Sequence, residues 1–355
     1  MKIVREIITK SVLVGASMIF LSAHAQNEDR IGSAGASELL INPWARSAGI
    51  GDASIATAKG LEAQHLNIAG LAFTDRTQVK FNYTNWLGNA GIALNSAGIA
   101  QRVSDQDVIA VSVQALSYGD IDITTVNNPE GNIGTFSPRK NILGLGYARE
   151  FSNSIYAGIN VKIISEQISN LRAGGVAMDA GVQYVTGEQD QIHFGITLKN
   201  VGPTMVYRGD GLNTPIFYQS NGAIATLNQR PASFEMPSLL QLGGGYDFIF
   251  SESQKLTAVI GFTANSFTNN QFRFGADYMF SLGESAAFNL RGGYVLEDGV
   301  WDADLRTTAL AGPTAGVSVD VLTGPNKSPI GFEYAVRQAS VFGWIHTFGL
   351  TISIK

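Results

Sequence analysis

Apolar residues alternate with small or polar ones in roughly fourteen stretches of about ten residues each, spread over most of this 355-residue chain. A period of two puts successive side chains on opposite faces of a strand, and ten residues is about what a tilted strand needs to cross a bilayer. The pattern is cleanest in Phe348-Gly349-Leu350-Thr351-Ile352-Ser353-Ile354-Lys355, which reads as a closing strand at a membrane. Val79, Phe81 and Tyr83 mark the first stretch, followed by segments near 91–101 and 107–117. Leu143 to Tyr147, Ile155 to Ile163, Val176 to Tyr184 and Ile192 to Leu198 come next. After a gap the pattern resumes at Leu240 to Phe248, Leu256 to Phe262, Phe272 to Phe280 and Phe288 to Tyr294, then near 314–322, 330–336 and 344–355. An even strand count returns both chain ends to one side of the membrane.

Met1 to Ala25 reads as a secretory signal: Lys2, Arg5 and Lys10 precede the apolar stretch Ser11 to Leu21, and Ala23-His24-Ala25 offers a small-x-small cleavage site. The mature chain is expected to begin at Gln26. Cysteine is absent, which removes disulfide and thiolate chemistry. Past the signal no apolar run reaches the length of a membrane-spanning helix, yet 45% of residues are hydrophobic and only 15% charged. Soluble domains carry about 25% charged residues, so much of this surface is expected to face something other than water. The 40 Gly, 19 Phe and 11 Tyr fit a β-rich membrane protein with aromatic belts. A net charge of −5 argues against nucleic acid as a partner.

Charge placement discriminates further, because Lys or Arg facing lipid at the midplane costs about 2–4 kcal/mol. Lys80, Lys162, Asp179, Lys199, Asp247, Arg273, Asp277, Arg291, Glu333 and Arg337 all fall opposite the apolar parity. A one-residue slip would expose all of them. A soluble β-sandwich would share this parity, but low total charge and aromatic-rich apolar faces favour an antiparallel transmembrane β-barrel of about 14 strands. Short connections at 103–106, 151–154, 187–191, 251–254 and 283–285 alternate with long ones at 118–139, 202–237 and 297–313, as inner turns alternate with outer loops.

Gly158, Gly181, Gly195, Gly243, Gly245, Gly275, Gly293 and Gly349 take inward positions and cannot fill a lumen of this size. Residues 26–76, rich in Ala and Gly and lacking period two, are the candidate to fill it. Asn42-Pro43 offers a cap and first-turn proline for a short helix there. The expected organisation is a signal peptide (1–25), an N-terminal plug segment (26–76) and a barrel (77–355).

Nothing in the sequence assembles a catalytic, cofactor or metal site. His65, His193 and His346 are the three histidines of the mature chain, and no Ser is visibly paired with His346. Glu297, Asp298, Asp302 and Asp304 form an acidic loop whose spacing matches no EF-hand. Gly243-Gly244-Gly245 lacks the Lys and Ser/Thr of a phosphate loop.

Asn67-Ile68-Ala69-Gly70-Leu71 resembles the Asn-Pro-Ala-Gly-Leu signature ahead of the first strand in FadL-type outer-membrane proteins, with Ile68 in place of proline. Trp44 to Ala53 is similar to their Gly-rich plug. Gly35 to Leu40, Asp179 to Tyr184 and Leu198 to Pro203 most resemble the PorV/PorQ group of the type IX secretion system. That resemblance implies a fourteen-stranded, plugged barrel in the outer membrane, embedded in outer-membrane lipid and without enzymatic activity. It implies binding of the C-terminal signal domain of secreted cargo, shuttled from the secretion translocon to a surface attachment machine. The long loops would then face partners, with Tyr118, Phe136, Tyr207, Phe217, Tyr218 and Trp301 as exposed aromatic anchors. A FadL-like channel for hydrophobic small molecules is the alternative built on the same barrel.

Overall fold

A computed structural model describes residues 30, 32–217, 223–283, 285–297, 308–324 and 327–354. The expected signal peptide and its cleavage site lie outside the described residues, as do Tyr218, Trp301, Asp298, Asp302, Asp304 and Lys355. The strands are β1 (Thr77–Trp86), β2 (Ile92–Arg102), β3 (Asp107–Ser117), β4 (Ile121–Asp122), β5 (Thr135–Phe136), β6 (Arg139–Ser152), β7 (Ile155–Ile168), β8 (Leu171–Thr186) and β9 (Ile192–Val201). They continue with β10 (Asn213–Phe217), β11 (Ile224–Asn228), β12 (Leu239–Ser251), β13 (Gln254–Asn265), β14 (Gln271–Leu282), β15 (Ala286–Glu297), β16 (Gly312–Thr323), β17 (Ser328–Ala339) and β18 (Gly343–Ile354).

Fourteen of them close into one antiparallel barrel, in which β1 pairs β2 on one side and β18 on the other. The pairs β4–β5 and β10–β11 form two-stranded sheets within connecting loops. All fourteen alternating stretches of the sequence are wall strands. Their register lines up the outward parity: Tyr83 stands opposite both Phe348 and Asn95. Phe81, Ile99, Val113, Ile159, Ile260 and Phe348 are each 46–52% exposed, so the apolar parity has no protein against it. Hydrocarbon is the solvent such a face requires.

Thr77, Ile354 and the turns at 103–106, 153–154 and 187–191 share the inner rim. The outer rim corrects one expectation. Its connections are not uniformly long: 87–91, 169–170, 266–270 and 340–342 are short, while 118–138 and 202–238 are extended. Wall strands run from 10 to 16 residues. At about 3.4 Å per residue and a tilt near 40°, they span about 26–42 Å, against an apolar band of about 25 Å. The tallest, β6, β7 and β8, stand above the band on the outer side.

Residues 32–76 run down the inside of this cylinder. They begin against the outer loops, where the Gly32 N–H donates to the Phe267 carbonyl and the Gly35 N–H to the Glu235 carbonyl. The even strand count therefore brings Thr77 and Ile354, the two ends of the wall, to one rim, but not the two chain ends as expected, because the N-terminal segment crosses the lumen before the first strand. They end at the inner rim, where the Arg102 guanidinium donates to the carbonyls of Ala72, Thr74, Asp75 and Asp105. Between these ends lie only short helical turns, at Ser37–Leu40, Ala45–Ala48, Gly60–Glu62, Ala63–Leu66 and Ile68–Phe73. Asn42 does not cap the helix as expected. Its Oδ1 accepts from the Trp44 N–H and its amide bonds Ser47 and Asp52, so the helix starts at Ala45, two residues past Pro43.

Candidate functional site

The inward glycines mark where the N-terminal segment presses against the wall. A Cβ on Gly243 would meet Ile55, one on Gly195 would meet the Ala56 backbone, and one on Gly275 or Gly293 would meet Ile50. A wall with side chains at these positions could not hold that backbone so close. The Asn67-Ile68-Ala69-Gly70-Leu71 stretch acquires a physical role in the same way. Asn67 is fully buried; its amide donates to the Val182 and Ile196 carbonyls while its Oδ1 accepts from the Ala69 N–H. Gly181 leaves the room for that amide, and Gly70 leaves room for the Ala58 carbonyl.

Every charged residue assigned to the inward parity points into the lumen, and most of them are paired. Arg337 and Arg273 share Asp52 at 2.6 and 3.1 Å. Lys80 reaches Glu333 at 3.2 Å and Glu62 at 3.8 Å, and Arg46 reaches Glu333 and Asp320. Lys162 pairs Asp179 at 2.7 Å, Arg291 pairs Asp277 at 2.9 Å, and Asp247 meets Lys255 and His193. Asp52, Glu62 and Arg46 belong to the N-terminal segment, so the segment is bound to the wall by charge as well as by packing. Removing one partner of such a buried pair costs about 3–5 kcal/mol. His346 faces outward and its Nδ1 meets the Tyr334 hydroxyl at 2.8 Å, which occupies it in the aromatic belt.

Two cavities flank this packed middle. A polar vestibule of about 300 Å³ at the inner end is lined by Lys59, Asp75, Asp247, Lys255, Asp277, Arg291 and Asp320, among others. A space of about 170 Å³ at the outer end lies between Gly32–Ser37, Pro237–Ser238 and Asn265–Thr268. Ile50, seated on Gly275 and Gly293, lies between the two ends.

The outer mouth carries a second polar cluster, which the sequence did not single out. Lys140 is twelve residues above Ser152 on β6, about 30 Å above the inner rim and beyond the apolar band. Its Nζ lies 2.8 Å from Glu38 of the N-terminal segment and 3.5 Å from Glu166 of β7. Tyr207, from the long loop, donates its hydroxyl to Glu166 and packs its ring on Phe234 at 5.5 Å. Burial pushes the Glu38 carboxyl up to about 7, with Lys140 opposing and Glu166 reinforcing the rise. Burial and the bond to Glu166 likewise raise the Tyr207 phenol. Arg30 adds an ion pair to Glu235 at 2.6 Å and lies over the Phe267 ring. The start of the N-terminal segment is thereby strapped to the base of the 202–238 loop.

These contacts change the picture of the aromatic anchors. Tyr118 and Tyr207 are half-buried rather than exposed, because their loops fold back over the mouth. Tyr118 packs against a cluster around Ile41, Trp86 and Leu116, and Tyr207 is held by Glu166 and Phe234. Phe136 is half-buried in the β4–β5 pair. Phe217 alone of the described anchors is open, at 68%, and Ile224, its partner across β10–β11, is 66% exposed. Among the described residues no group of His, Asp and Glu is arranged to hold a metal ion.

Residues 24–268 match the family described as type IX secretion system protein PorV. No curated protein matches the chain. Among solved structures, the Pseudomonas putida toluene transporter TodX superposes with a TM-score of 0.55 at 12% identity, covering 88% of this chain and 98% of that one. A Pseudomonas aeruginosa FadL homologue gives 0.52 at 10% identity over 88% and 98%, and the Ralstonia pickettii toluene transporter TbuX gives 0.51 at 12% over 86% and 97%. At such identities these likenesses establish a common fold, that of FadL-type outer-membrane barrels, while the family match runs through the N-terminal segment and the wall strands to β13. This outer-membrane β-barrel belongs to the PorV family of type IX secretion system proteins.

Proposed function

We propose that this barrel is a carrier component of type IX secretion: it binds the C-terminal signal domain of secreted cargo at its outer mouth and passes it from the translocon to the surface attachment machinery. Residues 26–76 serve as a permanent plug, released from its signal by cleavage after Ala25. The observation that carries this reading is the packed middle of the lumen, with Ile50 seated on Gly275 and Gly293 and the segment ion-paired to four strands through Asp52, Glu62 and Arg46. A channel for hydrocarbons, the role named for the toluene transporters of the same fold, calls for an apolar path. The inner vestibule here is lined instead by charged groups. Binding function is thereby directed to the rims, where the β10–β11 hairpin offers Phe217, Ile224 and Leu227 to a partner.

Replacing 213–228 by a Gly-Gly link in the full-length protein tests the assignment, since the anchors Met205, Tyr207 and Phe234 stay in place. A purified cargo C-terminal signal domain should lose its binding to the variant in a pull-down while the barrel stays folded. Undiminished binding would remove the hairpin from the contact surface.

A further inference from the structure

We propose that the lumen holds a small monovalent anion, of about chloride size, between Lys199, Arg273 and Arg337. These three cations line a cavity of about 70 Å³ below the outer loops, together with Asp52, Gln241, Gln271 and His65. The site is built by a break in the wall. The register of β8 on β9 shifts between Met178 and Ala180, Asn200 takes a φ of 59°, and Lys199 and Asn200 are consequently both buried on the lumen side. A regular strand would have sent one of the two toward lipid.

Among the described residues the charge in this cavity does not balance. Asp52 is already engaged by Arg337, Arg273 and the Asn42 amide. Asp179, across the register break, is taken by Lys162 at 2.7 Å, by the Asn200 N–H at 2.8 Å and by the Asn160 amide at 3.1 Å. Lys199 is 4% exposed, and among the described residues no carboxylate or other acceptor lies within bonding distance of its ammonium. Arg273 Nε and Arg337 Nε are also buried without acceptors. Buried donors without acceptors and buried cations without counter-ions are both strongly disfavoured; a single anion answers both. Its size is bounded by the cavity: one water needs about 10–15 Å³ on this measure, so about 70 Å³ admits a chloride-sized ion with a few waters and excludes an acyl chain. Bound there, the anion neutralises the cations that β9, β14 and β17 turn toward one another, and Asp52 of the N-terminal segment rests on two of those same cations, Arg273 and Arg337, so the ion steadies the wall groups that hold the segment in the lumen.

The test uses the full mature protein in detergent, unfolded by heat in sodium chloride and in sodium gluconate at equal ionic strength. Gluconate is too large for the cavity. Chloride at about a hundred times its dissociation constant should lower the unfolded-to-folded ratio about a hundredfold relative to gluconate. Lys199→Met should abolish the difference, whereas Lys255→Met, at the inner vestibule, should retain it. Crystals of the unsubstituted protein soaked in bromide should show an anomalous peak beside Lys199 Nζ, a readout independent of whether any variant folds. Equal stability in the two salts, a chloride effect that survives Lys199→Met, or no bromide at Lys199 would each overturn the site.

Discussion

Glu38 sets a pH dependence on the strap that closes the outer mouth. Its carboxyl is held near 7 in the closed state, against an ordinary 4.5, chiefly because burial disfavours the charge. The closed state therefore binds the proton more tightly than the open one. Its contribution is fully present below about 4.5 and is lost as pH rises through about 7. Linkage over that interval gives a loss of about 2 kcal/mol of strap stability between about pH 5.5 and 8.5. The assay is hydrogen exchange, corrected for its intrinsic pH dependence, on residues 32–41 and 202–208. Protection should fall about thirtyfold across that range, since about 1.4 kcal/mol is a factor of ten. Glu38→Gln keeps the shape and removes the titration, so its protection should vary little with pH. The reasoning fails if the unsubstituted protein shows no change, or if Glu38→Gln shows the same change.

Two further outcomes follow from the parity of the wall. Ile260→Arg places a cation on the lipid face of β13, where Ile260 is 49% exposed, and should cost about 2–4 kcal/mol in a folding titration into lipid vesicles. Gly243→Val should push Ile55 and Ala56 off the wall and open residues 50–60 to protease, while Gly244→Val, whose added Cβ meets Ile260 Cγ2 at 3.5 Å on the outward face, should leave them protected.

The wall was legible in the sequence because one physical rule, hydrocarbon outside and charge inside, acts on every second residue. That rule placed Lys80, Lys162 and Arg337 in the lumen without any knowledge of their partners. It was silent on anything decided by contacts distant along the chain. Glu38 meets Lys140 across 102 residues, and no local pattern announces that pair. Tyr118 and Tyr207 misled for the same reason: a loop position says that a residue leaves the wall, not that its loop folds back. Length was also an incomplete guide to sidedness, since 169–170 is an outer connection as tight as any inner turn. The glycines carried more information than their number suggested. Their inward parity signalled a filled lumen, although only the structure shows Ile50, Ile55 and Ala56 against them.

The N-terminal segment enters beside the outer loops and leaves at the inner rim, and the seam that encloses it joins β1 to β18, the first and last strands of the wall. Such a path dictates an order of assembly. A cylinder sealed beforehand would have to admit Trp44 and its neighbours end-on, past the ion pairs that occupy its bore. The expected order has the early residues in place while the sheet is still an open ribbon, so that zipping Thr77 onto Ile354 captures them, and protease protection of residues 32–76 should then appear together with barrel closure rather than after it.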